Sequence, residues 1–202
     1  MILEKKFSPF WVWENEIPPQ ICNHIIKQSN ENGTWESGVA GKGTKEDQEH
    51  RKNDIQWWGN ETPSSRWCNG ILFSYILKAN AFNFDYDMSL DDKESMQVCR
   101  YGENEFYDVH IDCCYNRDSN QFTRKLSASL QLSNENDYEG GGLELYLIGA
   151  PFAEKDKEVY KVKKSQGTIV VFDSRTEHRV LPVTSGIRYS AQKWAHGDQP
   201  LR

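Results

Sequence analysis

The stretch Leu126-Ser127-Ala128-Ser129-Leu130-Gln131-Leu132-Ser133 alternates strictly between apolar and polar residues. Successive side chains of a strand point to opposite faces, so Leu126, Ala128, Leu130 and Leu132 share one side and Ser127, Ser129, Gln131 and Ser133 the other. The first side predicts a buried face, and the second a face that lines something polar.

Working outward, similar short runs recur from about residue 94, separated by turn chemistry, and this predicts an antiparallel all-β core. Gly140-Gly141-Gly142 separates the stretch from a strand over Leu143 to Ile148. Gly167 opens the apolar strand Thr168 to Phe172, and Ile187 to Trp194 forms the last one. Toward the N-terminus the period changes. Ile21, Cys22, Ile25 and Ile26 have helical spacing over residues 17–31, after Pro18-Pro19 and before Asn32-Gly33. Thr62-Pro63 reads as an N-cap and first turn, with Trp67, Ile71, Leu72, Tyr75, Ile76 and Ala79 on one helical face. Residues 33–54, polar and glycine-containing, predict a loop that closes over substrate. The expected fold is mainly β with N-terminal helices: a double-stranded β-helix (jelly roll) of six to eight strands. One domain, 1–202, would hold helical support over about 1–93 and the core over about 94–197.

Twenty-four Lys and Arg against 30 Asp and Glu give a net charge of -6, whose average field repels nucleic acid and anionic membrane; neither is expected as a partner. The start lacks the apolar run of a signal peptide and no stretch has about 18 consecutive apolar residues, so a soluble cytoplasmic protein is expected. Five cysteines, at 22, 68, 99, 113 and 114, have no framework spacing and read as reduced thiols. Without a C-x-x-C pair, a thiolate metal site near Cys113 is disfavoured.

His110-Ile111-Asp112 places an imidazole and a carboxylate on one face of a strand. The pair alone is weak, since roughly 0.3 such pairs arise by chance in a chain of this composition. His178, just after the apolar strand Thr168 to Phe172, strengthens it by completing two histidines and a carboxylate, the facial arrangement of non-haem Fe(II) oxygenases. Zinc hydrolases also use two histidines and a carboxylate, but have no need of Arg188, which shares a strand face with Ser190, Gln192 and Trp194. A guanidinium fork suits the distal carboxylate of 2-oxoglutarate, with Tyr101 and Ser190 adding hydrogen bonds. Taken alone, Arg188 would equally serve a structural salt bridge.

Gln97-Val98-Cys99-Arg100-Tyr101, Tyr107-Asp108-Val109-His110-Ile111-Asp112, Arg124-Lys125-Leu126-Ser127, Tyr138-Glu139-Gly140-Gly141 and the last strand together resemble prolyl 4-hydroxylase catalytic domains. The likeness is greatest to small stand-alone members from bacteria, algae and their viruses. It covers residues 94–197 and is faint over Arg51 to Trp58 and Leu77 to Asp87. The resemblance implies iron(II) at His110, Asp112 and His178, and 2-oxoglutarate at Tyr101 and Arg188. It also implies dioxygen as second cosubstrate, with ascorbate as a further cofactor. A prolyl peptide or protein substrate would meet Tyr107, Arg124 with its ionic partner Glu94, Trp194 and His196. Many collagen-type members have lysine in place of Arg188, threonine in place of Leu145, and an aromatic residue in place of Val109, and these departures bear on the substrate. Rival readings are the same chemistry on a free amino acid, small metabolite or alkylated nucleobase, and a non-catalytic jelly-roll binding module. A halogenase would need a small residue in place of Asp112. Trp11, Trp13, Trp57, Trp58 and Trp67 read as core or rim packing, His24 and His50 as surface residues, and Glu139 to Gly142 as a bulged turn.

Overall fold

The alternating stretch lies in the middle of a seven-stranded antiparallel sheet, with both of its faces buried. The structure, a computed structural model, describes residues 8–38, 49–91, 94–113, 123–147 and 158–197. The sheet contains β1 (Phe10–Trp13), β2 (Glu36–Ser37), β4 (Asp54–Trp58), β5 (Met96–Tyr101), β7 (Thr123–Gln131), β11 (Ile169–Asp173) and β14 (Arg188–Gly197), in the order β1-β11-β7-β14-β5-β4-β2. A second sheet of β3 (Arg51–Lys52), β6 (Phe106–His110), β9 (Leu143–Leu147), β10 (Glu158–Lys161) and β12 (His178–Val180) runs β10-β9-β12-β6-β3. β8 (Tyr138–Gly140) and β13 (Val183–Gly186) pair separately.

Two helices cover the outer face of the larger sheet: α1 (Pro19–Asn32) and α2 (Pro63–Ala79), the latter continued by a π-helical turn at Asn80–Phe84. α2 starts at Thr62, whose hydroxyl accepts the Ser65 N–H at 3.1 Å, while the Ser65 hydroxyl lies 3.3 Å from the Thr62 N–H. Leu72, Ile76 and Ala79 bury against Leu126, Ala128 and Leu130 of β7, together with Val98, Val171 and Ala191. On the inner side, Ile55, Cys99, Tyr101, Val170 and Phe172 of the larger sheet meet Leu143, Leu145 and Val180 of the smaller. This is the double-sheet jelly roll with helical bracing, and Ser127, Ser129 and Gln131 are buried on its inner side.

The strands outnumber the expected six to eight: 14 are found among the described residues. Four of them, β1 to β4, precede residue 94, so the N-terminal part contributes strands as well as helices. The described part of the predicted loop at 33–54 contains two short strands and the start of a third, with β2 paired to β4 and β3 to β6, while residues 39–48 lie outside the description, as does any closure by them. Two-residue strands are too short to show a period, and Arg51, Asn53 and Gln56 are polar because they are buried beside other polar groups. Gly33 ends α1 in extended backbone. A Cβ there would stand 2.2 Å from the Gln56 amide, so the glycine is needed for close approach and not for a left-handed turn.

Cys22, Cys68, Cys99 and Cys113 are free thiols; Cys114 and Ile148 lie outside the described residues. His24 is half-buried beside Trp67, at 5.7 Å between ring centroids, rather than fully at the surface. No helix among the described residues is long and apolar enough to cross a membrane.

Candidate active site

β6 and β12 are antiparallel neighbours, and their register pairs His110 directly with His178. Asp112 stands two residues beyond His110, where its N–H and that of Cys113 both donate to the Ser174 carbonyl at 2.9 Å. These hydrogen bonds turn the carboxylate toward the histidines. His178 Nε2 lies 3.6 Å from one Asp112 oxygen and His110 Nε2 lies 3.7 Å from the other, with all the ligand atoms within 4.8 Å of one another. Each imidazole binds a backbone oxygen through Nδ1, His110 to Asp108 at 2.8 Å and His178 to Thr176 at 2.9 Å. A neutral ring so held keeps its proton on Nδ1 and offers the Nε2 lone pair. Burial and the neighbouring His178 lower the pKa of His110 to about 4, so it is neutral at pH 7. Burial opposes ionisation of Asp112, yet His178, His110 and the Trp194 N–H hold its pKa below the usual carboxylate value. Two imidazole nitrogens and a carboxylate on one facet suit a divalent metal with open positions.

Trp194 lines the cavity and also makes a contact that was not expected. Its indole N–H donates to Asp112 Oδ2 at 2.9 Å, so the ring orients a potential ligand as well as walling the cavity. The Arg124 guanidinium stacks over that ring at 3.9 Å and pairs with Glu94, which also takes His196 Nε2 at 2.6 Å. Glu94, Arg124 and His196 therefore form one cluster, with Arg124 on the cavity wall. Tyr107 stacks on the His110 ring, at 3.5 Å and 11°.

Arg188 is 1% exposed. It donates to Ser190 Oγ at 3.1 Å and to Gln131 Oε1 at 2.9 Å, lies 5.2 Å from the Tyr101 ring centre, and has a buried Nε without a partner. Among the described residues no carboxylate pairs with it. Lys164 lies close enough that Arg188 adds to the effect of burial in lowering its pKa, against the opposing pull of Glu139 and Glu135. A buried, incompletely satisfied guanidinium fits an anionic group. Gly140 and Gly141, at φ of 69° and 60°, make the expected turn, and a Cβ on Gly141 would press within 3.0 Å of Arg188 Cδ. Tyr101, the register partner of Arg188, lines the cavity, and Arg188 stands behind it.

The cavity measures about 370 Å³ and opens on the His110, Asp112 and His178 facet. Sequence reasoning missed Arg51, Trp57, Gln97 and Cys99 on its wall. A signal was present for two of these, since Gln97 and Cys99 alternate with Tyr101 on one face of β5. Trp57 is 47% exposed, with its ring 6.0 Å from that of Trp194; it forms the rim next to the metal facet.

Residues 96–196 match the family profile of the 2OG-Fe(II) oxygenase superfamily. The chain belongs to that superfamily. Its cofactor is iron(II), with 2-oxoglutarate and dioxygen as cosubstrates, in keeping with the donor set and the orphaned Arg188 nitrogen. A PKHD-type hydroxylase of Colwellia psychrerythraea is 29% identical over 191 residues, 90% of the oxygenase described here and 78% of the relative. Higher-identity matches to PKHD-type hydroxylases of Synechococcus span less, 35% and 51% of those relatives' lengths. Two solved structures share the oxygenase's fold at 19% identity. A Pseudomonas putida prolyl-4-hydroxylase has a TM-score of 0.69 over 94% of this chain and 92% of its own. A Trichoplax adhaerens prolyl hydroxylase, solved with a hypoxia inducible factor peptide fragment, has 0.72 over 94% and 84%.

Proposed function

We propose that this oxygenase hydroxylates a prolyl residue within a peptide or protein. The observation that carries the reading is the cavity wall beside the triad: Tyr107, Trp57 and Trp194 are aromatic, Leu143, Val180 and Phe172 are apolar, and the amides of Gln97 and Gln192 stand among them. A saturated ring without charge or N–H is held by such surfaces and not by ion pairs. The prolyl hydroxylases with the same fold support it.

In this reading His110 Nε2, His178 Nε2 and an Asp112 oxygen hold iron, while Arg188 with Ser190 and Tyr101 holds the distal carboxylate of 2-oxoglutarate. When bound, iron and 2-oxoglutarate supply the oxidative decarboxylation that lets dioxygen hydroxylate an unactivated C–H bond. The chain's own work is placement and exclusion of water. Trp194 and the Ser174 carbonyl orient Asp112, and Tyr107 packs the His110 ring in place. Trp57 and Arg124 border the space left for the peptide.

The test combines substrate and residue. Proline peptides incubated with iron(II), 2-oxoglutarate and air are expected to gain the mass of one oxygen on proline, in step with succinate release. Asp112→Ala should bind no iron and form no succinate. Arg188→Met should raise the 2-oxoglutarate requirement by about tenfold or more, the loss of a charge-assisted bidentate contact. Turnover of a free amino acid or alkylated base, with no proline peptide accepted, would overturn the substrate.

A further inference from the structure

Arg51 is a second buried guanidinium whose charge has no counterpart among the described residues. It projects from β3 at the edge of the smaller sheet, is 8% exposed, and lines the cavity. Its Nε donates to Asn53 Oδ1 at 2.7 Å, and one terminal nitrogen donates to Gln97 Oε1 at 2.9 Å and approaches Cys99 Sγ at 3.6 Å. The guanidinium carbon lies 4.4 Å from the centre of the Tyr107 ring, whose other face packs on His110. These neighbours are all neutral: burial raises the pKa of Cys99, Tyr101 and Tyr107, so none is an anion at pH 7.

The charges on the cavity wall do not balance. Asp112 is the sole carboxylate among the described wall residues, and it is taken by Trp194 and the two histidines. Arg124 is paired with Glu94 outside the wall. Arg51 is left. A guanidinium this deep is costly unless an anion joins it, and neutral amides hold the fork without supplying that charge. The apolar wall beside it is made for an uncharged group, so the anion and the reacting carbon belong to different parts of one ligand.

We propose that Arg51 is the receptor for a carboxylate of the substrate, one to two residues from the hydroxylated position. The spacing follows from the stack: Arg51 stands two layers from His110, and extended chain advances ~3.3–3.6 Å per residue. The carboxylate belongs either to an acidic side chain beside the target residue or to the free end of the substrate chain. This inference rests on the reading that substrate enters this cavity, but not on the target being proline.

Binding to the protein loaded with iron(II) and 2-oxoglutarate, without oxygen, tests it through quenching of the wall tryptophans. Four probes are compared first: N-acetyl-Pro-Gly with a free carboxylate, its amide, and the corresponding N-acetyl-Ala-Gly pair. The acid of each pair should bind at least about tenfold tighter than the amide, as for a hydrogen bond to a charged group. The difference should vanish in Arg51→Gln and survive in part in Arg51→Lys, with 2-oxoglutarate affinity unchanged in both. Amidated N-acetyl-Pro-Asp separates the sources: it equals the free acid if a side-chain carboxylate serves, and matches the amide if only a chain end does. Equal binding of acid and amide by the parent protein overturns the inference without any variant. So does a preference that persists in Arg51→Gln, or a fall in 2-oxoglutarate affinity that assigns Arg51 to the cosubstrate. If the alanine pair keeps the acid preference and binds as well as the proline pair, the prolyl reading fails while the carboxylate receptor stands.

Discussion

Trp194 shows how one hydrogen bond joins two functions. Its indole forms part of the wall and its N–H fixes the Asp112 oxygen at 2.9 Å, with the Arg124 cation on its face making the indole a better donor. Trp194→Phe keeps an aromatic ring on the wall and removes the N–H. It should weaken iron(II) binding by roughly 10–100-fold, the usual effect of losing a partner of a metal ligand, with the fold retained. Titration of the iron-free protein measures this, and parent-like affinity would reduce Trp194 to a wall residue. The residues proposed for the chemistry were legible where chemistry imposes spacing. His110 and Asp112 announce themselves because a two-residue step keeps them on one face, and Arg188 because a guanidinium on a core strand needs an anion. Arg51 was not legible. It lies in a polar run whose burial comes only from the packing of β3 on β6, and that contact has no local pattern.

The turn between β11 and β12 is the element that sets the triad. Asp173 at its start accepts two hydrogen bonds from the Arg175 guanidinium, at 2.9 and 2.6 Å, and another from the Tyr86 hydroxyl. This holds Ser174, whose carbonyl receives the Asp112 N–H and whose hydroxyl meets Ser127 Oγ at 2.9 Å. Burial would raise the pKa of Asp173, but the bonds from Arg175 and Tyr86 outweigh it and leave the group below its ordinary value. A depressed folded-state pKa contributes stability that is fully present above the unfolded value, ~3.9, and is lost as pH falls through the folded value. Asp173→Asn should therefore cost roughly 1.5–3 kcal/mol at pH 7, and its melting temperature should fall less than the parent's between pH 5 and pH 3. Parallel acid profiles for the two proteins would exclude Asp173 from the linkage. The strands flanking this turn could be read from their apolar runs. The clamp could not, because Tyr86 reaches it from the segment after α2, far away in sequence.

At the scale of the whole molecule, the larger sheet separates two interiors of different character. Its helix side is mainly apolar, around Leu72, Ile76 and Leu130, whereas its inner side carries Ser129 and Gln192 on the cavity wall, with Ser127 and Gln131 also buried on that side. Leu130 lies fully buried on the helix side. Leu130→Ala should destabilise the fold by ~2–5 kcal/mol and leave 2-oxoglutarate affinity near the parent value in the protein that remains folded. Denaturant melts with a ligand titration check this, and a matching loss of affinity would mean that the two interiors are coupled. The protein's net charge is -6, yet the cavity wall carries Arg51 and Arg124 against a single carboxylate among the described residues. An acidic exterior discourages polyanions, while the cavity wall keeps a cation available for a carboxylate that enters.

In the proposed site, the register that sets His110 opposite His178 makes the iron a rivet across the β6–β12 seam. Strand pairing has a period of two, so a slip of either strand by one residue would send its imidazole to the face opposite the other. Iron bound to the native register alone then adds RT ln(1 + [L]/Kd) to the free energy of opening this seam. In the iron-free protein, amide protons of β6 and β12 should exchange with deuterium faster than in the loaded protein, while those of β7 and β14 change little.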